Sequence, residues 1–251
     1  MSKKLFVNVL IFIAALTMVT LGFWQLSRHS DKKEINNTIN DRILENPVNL
    51  ADLRIDQQTE SSLTNIEYRS VQATGLFKHS DSILVRNRPL NGSPGYWLLT
   101  PFDLGNGRVV IVNRGWLPIA AEDFRQTNSD QITIEGIIRK TQVASGLQRE
   151  DSREGKLANL GRVDLSRYQQ QLEYEILPVF IQVINQDPPQ SSNFPKMLSV
   201  PEFKEGQHLN YAVQWFIFAT ITIIGYPLVF FRNRRKKDKG FGQSDIPIDY
   251  L

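Results

Sequence analysis

The chain has no cysteine, so disulfides, a thiolate metal centre and a thiol redox relay are excluded. Histidine is nearly as scarce. The only ones, His29, His79 and His208, never fall at i,i+3 or i,i+4 spacing, whereas a catalytic zinc site needs several protein ligands. No glycine-rich nucleotide loop is present, since Gly105-x-Gly107 lacks a third glycine and reads as a hairpin turn. Gly92-Ser93-Pro94-Gly95 lacks nucleophile-elbow spacing and reads as a turn as well. No pair of carboxylates is singled out as acid and base. A net charge of only +3, with the excess gathered in the C-terminal tail, gives no reason to expect a nucleic-acid partner. The residues taken alone therefore give an enzyme no support, without excluding one.

What the chain does have is a long apolar run at each end. Leu5 to Leu26 and Tyr211 to Phe231 carry no formally charged side chain, and at about 1.5 Å per residue each can cross about 30 Å of hydrocarbon. The first run outlasts a signal-peptide core and shows no small-x-small cleavage site, so it is read as an uncleaved anchor. Arg232, Arg234, Arg235, Lys236, Lys237 and Lys239 follow the second run, against Lys196 and Lys204 before it, which places the tail in the cytoplasm. The expected order is a cytoplasmic N-terminus (1–4), a first span (5–26), an extracytoplasmic domain (27–208), a second span (209–231) and a basic cytoplasmic tail (232–251).

The middle reads as one domain. Asp31 to Glu45 has Ile35, Ile39, Ile43 and Leu44 at helical spacing, so the first span should continue outward as a helix closed by Pro47. Strand-like segments follow at 67–75, 82–88 and 96–100, then a hairpin in which Gly105-Asn106-Gly107 joins 102–104 to 108–113. Further strands are expected at 131–139 and 178–185, a helix at 164–174, and a Pro-rich return linker at 187–201. The fold class is α+β: two terminal spans enclosing one mainly antiparallel β domain with small helices.

Both runs carry their polar and aromatic residues at the end facing this domain. At 100° per residue His208, Tyr211, Ala212, Trp215, Ala219 and Thr222 share one helix face, an imidazole followed by an aromatic and small residues. Spacing alone leaves two readings. One is an ordinary interfacial aromatic belt; the other is a seat for a flat apolar ligand whose metal takes the imidazole. On the first run Trp24 and Arg28 are i,i+4 neighbours, and so are Gln25 and His29. Arg28 either snorkels to the surface or pairs with a ligand carboxylate. Arg114, in Asn113-Arg114-Gly115-Trp116, is either a structural arginine or a clamp for a ligand carboxylate or for a partner subunit. Arg86 and Arg88 alternate on one strand face, a usual place for solvated charge. Trp97 and Phe102 read as core.

Four stretches carry a resemblance. Leu21-Gly22-Phe23-Trp24-Gln25-Leu26-x-Arg28, Arg88-Pro89 through Gly95-Tyr96-Trp97-Leu98-Leu99-Thr100-Pro101-Phe102, Val112-Asn113-Arg114-Gly115-Trp116-Leu117-Pro118, and His208-Leu209-x-Tyr211-Ala212-x-Gln214-Trp215-Phe216 occur in that order. Together they resemble the surfeit-locus-one type of cytochrome c oxidase assembly factor. Where many members have a Trp-Lys pair after the first-span arginine, this chain has Ser30-Asp31-Lys32-Lys33.

The resemblance implies a non-enzymatic protein; with the orientation read from the basic tail, the expected setting is the bacterial inner membrane with both termini cytoplasmic and the central domain periplasmic. It implies that the protein helps haem a reach the catalytic subunit of cytochrome c oxidase, with haem a synthase as a further partner beside the lipid bilayer. It maps the haem iron onto His208, and the reading of the residues adds Tyr211, Trp215, Trp24, Arg28 and Arg114 as candidates for the cofactor's surroundings. A cofactor-free scaffold for an oxidase subunit and a membrane sensor are the alternatives.

Overall fold

A computed structural model describes residues 3–121, 130–146, 148–200, 203 and 206–232. Met1, Ser2, Lys204 and the basic tail beyond Arg232 lie outside the described residues. Along the chain run α1 (Lys3–Leu44), β1 (Val48–Asn49), α2 (Glu60–Ile66), β2 (Ser70–Phe77), β3 (Ile83–Val85), β4 (Gly95–Asp103), β5 (Val109–Pro118), β6 (Ile132–Lys140), β7 (Asn159–Leu160), α3 (Leu165–Gln169), β8 (Ile176–Asp187) and α4 (His208–Thr220). These form two compact units, Met1–Asn37 with Phe203–Leu251, and Thr38–Glu202.

Helix α1 runs unbroken through the polar Asp31–Leu44 segment, as its helical spacing predicts. α4 passes into one π-helical turn, Ile221–Gly225, and stays helical to Arg232. Two helices, Leu5–Leu44 and His208–Arg232, are long and apolar enough to cross a membrane, and little of their apolar surface is covered by protein. Thr17 and Thr20 each donate their hydroxyl to the carbonyl four residues earlier, at 2.9 and 2.8 Å, which satisfies them within the helix.

The helices meet through small residues and a few polar pairs. Ala212 and Ala219 are buried, and a β-carbon at Gly22 would lie 2.7 Å from Phe216 Cε1. The Phe23 and Phe216 rings pack edge-on at 5.3 Å. Lower down, Thr222 Oγ1 lies 3.8 Å from Met18 Sδ, and the Tyr226 hydroxyl donates to Asn8 Oδ1 at 2.5 Å.

The second unit is a sheet of order β1-β2-β6-β8-β5-β4-β3-β7 that closes on itself where β2 also pairs with β4. Most pairings are antiparallel, with parallel ones at β1–β2, β3–β7 and β5–β8. Val110 and Val112 of β5 enter one apolar cluster with Val71, Phe102, Ile134 and Ile181, under the lid made by Leu50, Ile55 and Leu63. Ile111, between them, points the other way into a second cluster with Leu99, Leu160, Tyr168 and Phe180. A strand covered on both faces needs an unbroken apolar run, and Val109-Val110-Ile111-Val112 supplies it.

Several segments differ from expectation. β2 begins at Ser70 rather than at 67, because Tyr68 takes a positive φ of 70° and breaks the strand there. β4 runs through Pro101 without a break. The Pro101 carbonyl accepts the Lys78 N–H at 2.8 Å, and N–H and C=O of one strand residue point to the same edge, so the missing proton costs no bond to β5. The helix expected at 164–174 is shorter, with Asp164 capping it by accepting from Arg167 N–H at 3.0 Å.

β5 carries a bulge. Leu98 pairs with Gly115 but Leu99 with Asn113, so Arg114 is the extra residue, and Asn113 Oδ1 accepts the Gly115 N–H at 3.1 Å. Gly115 has φ of 133°, and a β-carbon there would lie 2.2 Å from the Lys196 carbonyl oxygen. The return segment crosses here, exchanging backbone hydrogen bonds between Trp116 and Lys196 at 2.8 and 2.7 Å. Gly115→Ala is expected to cost about 1–3 kcal/mol of domain stability, measurable as a lowered chemical-denaturation midpoint; an unchanged midpoint refutes the crossing as a constraint. Gly22→Leu overpacks the helix pair by about 1–3 kcal/mol, so disulfide formation between Met18→Cys and Thr222→Cys in this otherwise cysteine-free chain should slow roughly fivefold or more.

Candidate functional site

The polar end of the helix pair is built around the first residue of α4. Gln207 supplies no side-chain cap to this helix, so the opening turn is held by backbone bonds such as Tyr211 N–H to Gln207 O at 3.1 Å. The His208 side chain is therefore free to reach sideways, and its Nδ1 lies 2.8 Å from Gln25 Oε1 on α1. An amide oxygen can only accept, so this contact selects the Nδ1–H tautomer of the neutral ring, the tautomer whose lone pair is on Nε2. The ring is half-buried, with Gly206 beside its Nε2 edge. A neutral imidazole oriented through Nδ1 and presenting Nε2 is the form in which histidine binds a metal.

Around it, Tyr211 and Trp24 remain 47% and 53% exposed, so their rings are available to lipid or to a flat ligand. Trp215 is half-buried and packs edge-on to Phe218 at 6.3 Å. Ala212 and Ala219, on the same helical face as His208, are closed off by packing. Arg28 is exposed and lies 3.8 Å from Asp31, an i,i+3 ion pair of small energetic weight.

Arg114 belongs to the sheet unit. The bulge turns it inward, where it is 4% exposed, stacks 4.6 Å from the Phe77 ring and lies 3.3 Å from His79 Nδ1. Burial pushes its guanidinium down to about 10. The sheet unit also holds open cavities of about 570 Å³, beside Ile83, Leu157, Tyr168 and Gln171, and about 450 Å³, beside Arg88 and Tyr96. Among the described residues no group of His, Cys, Asp and Glu is arranged to hold a metal ion by itself.

Sequence reasoning placed His208, Tyr211 and Trp215 on one helix and Trp24 and Arg28 on the other, but it did not foresee that Gln25 would meet His208. The available signal was an uncharged polar residue at the end of an apolar run. Which residue of a second helix it faces is not a local property.

The comparisons with known proteins agree with this arrangement of parts. The SURF1 family pattern matches residues 12–220. A SURF1-like protein of Dictyostelium discoideum is 25% identical over 270 aligned residues, covering 92% of this chain and 97% of that one. SURF1-like proteins of Rickettsia felis and Rickettsia prowazekii are each 28% identical, over 90% and 96% of this chain and 97% and 92% of theirs. With the family pattern running from inside the first apolar helix to the end of α4, the chain belongs to the SURF1 family.

Proposed function

We propose that this protein is a membrane-anchored, non-enzymatic assembly factor for haem-copper cytochrome c oxidase, which holds haem a through His208 and presents it to the oxidase's catalytic subunit. The observation that carries the reading is the His208–Gln25 contact, because it engages Nδ1 and so favours the neutral tautomer whose Nε2 can bind a metal. His208 would take the iron, and Tyr211 and Trp24, both exposed, would flank the macrocycle. When bound, the haem supplies the metal that the oxidase requires; this chain's residues orient it and hold it at the membrane edge. The chemistry of the cargo suits that edge, since its isoprenoid tail favours lipid and its propionates favour water. The exposed Arg28 is available to a propionate at the cost of a weak pair with Asp31. Arg114, buried against Phe77, is assigned no contact with the cargo.

The proposed setting is the bacterial inner membrane, with the sheet unit in the periplasm and both termini in the cytoplasm. The basic residues after the second helix support it. Because the chain lacks cysteine, topology can be read with single introduced thiols. Ser152→Cys should react with an impermeant maleimide in intact spheroplasts and Gly240→Cys only after lysis; the opposite pattern refutes the orientation.

Purified from cells that synthesise haem a, the full chain should show a haem spectrum that His208→Ala abolishes. An unchanged spectrum removes the ligand assignment, and a wild-type protein without haem that still co-purifies with oxidase subunits favours a cofactor-free scaffold. Gln25→Leu should lower haem affinity about 10–100-fold and, without haem, shift the ¹⁵N signature of His208 away from the Nδ1–H tautomer. A tautomer indifferent to Gln25 refutes the orienting role.

A further inference from the structure

The stretch from Arg88-Pro89 to Gly95-Tyr96-Trp97 has no part in the His208 reading, yet it encloses the open cleft of about 450 Å³ in the sheet unit. Its walls are apolar at Pro89, Pro94, Tyr96 and Ile119 and cationic at Arg86 and Arg88. Asn87 and Asn91, both with positive φ, and Gly92 turn the chain between β3 and β4 and bring these residues around one space.

The charges are not balanced. Arg86 Nη2 lies 2.5 Å from Asp151 Oδ1, and its Nη1 donates to Asn159 Oδ1 at 2.9 Å. Asp151, whose side chain is only 6% exposed, also accepts the Gly161 N–H at 2.7 Å, so this carboxylate is committed to Arg86 and the backbone. Among the described residues Arg88 has no carboxylate partner. Among the described residues its guanidinium is met only by the Trp97 ring, at 4.3 Å, and by Gln142 Oε1, at 3.2 Å, while its buried Nε–H has no acceptor. Arg162 adds a second like charge nearby, and its own Nη2 donates to the Arg149 carbonyl at 2.9 Å rather than to an acid. Burial and this neighbour both push the Arg88 pKa below its ordinary value.

A partly desolvated cation without a counter-ion is unfavourable unless something else supplies the negative charge. Stacking on the indole fixes the plane of the guanidinium, whose N–H groups not engaged by Gln142 remain to meet a planar anion. The size of the cleft falls within the range of small-molecule sites.

We propose that this cleft binds a carboxylate carried on a compact apolar body, with Arg88 as the partner of the anion and Pro94, Tyr96 and Ile119 around the apolar part. The site lies wholly in the sheet unit and is independent of haem.

The test uses the full chain in lipid nanodiscs, labelled with 5-fluorotryptophan, with the Trp97 ¹⁹F resonance assigned through Trp97→Phe. Benzoate should shift that resonance saturably. Benzyl alcohol, benzylammonium and acetate should bind at least about tenfold more weakly. Arg88→Lys, which loses the planar fork, and Ile119→Asp, at a position 59% exposed and so safe for folding, should each weaken benzoate binding by a similar factor. His208→Ala should leave it unchanged. The proposal is overturned if benzoate fails to shift Trp97, if the alcohol or acetate matches benzoate, or if Ile119→Asp binds benzoate as the wild type does.

Discussion

Polar side chains on a helix surrounded by hydrocarbon must be satisfied by their own helix or by a neighbour, because no water is there to do it. The helix pair obeys this at both ends. Thr17 and Thr20 turn back onto their own carbonyls, whereas Asn8 meets Tyr226 and Gln25 meets His208 across the pair. Each cross-helix bond fixes which residues face each other, and Gly22 admits Phe216 between them. The orientation of the His208 ring follows from this pairing, and so from how two apolar helices share their few polar groups.

The sheet unit solves a different problem, packing without disulfides. Closure of β2 onto β4 removes open edges over part of the sheet, and burial of β5 and β8 on both faces brings two apolar clusters to bear on the same strands. Fully burying side chains such as Val110, Ile111 and Phe180 is worth about 1.5–3 kcal/mol each, which offsets the missing cross-links. The Arg114 bulge and the crossing at Lys196 occur where β5 leaves this core. The stretch Val112-Asn113-Arg114-Gly115-Trp116 is thus explained by geometry: a buried strand, a bulge, a glycine under a crossing chain and an indole whose N–H donates to the Arg88 carbonyl at 2.7 Å.

Much of this was legible along the chain. The continuous α1, the Gly105-Asn106-Gly107 hairpin, the strands β6 and β8 and the two membrane-length helices all follow from periodicity, turn residues and length. The two-residue strands β1 and β7 were not legible, because a parallel pairing so short leaves no pattern. Helix α2 was missed for a similar reason, with only Leu63 and Ile66 buried to mark it. Pro101 suggested a break because its edge-facing nitrogen can be recognised only once the neighbours are known. At the candidate site, His208, Tyr211 and Trp215 were readable as one helical face, but Gln25 was not readable as their partner.

The sequence by itself determined that two uncharged apolar runs flank a cysteine-free α+β domain, since length, hydropathy and alternation are local properties of the chain. Only the tertiary structure decided that Gln25 Oε1 faces His208 Nδ1, that Arg114 turns inward at a bulge, and that Arg88 stacks on Trp97 with no carboxylate partner among the described residues. Each of these depends on residues distant in sequence meeting within a few ångströms, and no local pattern encodes which distant pairs will meet.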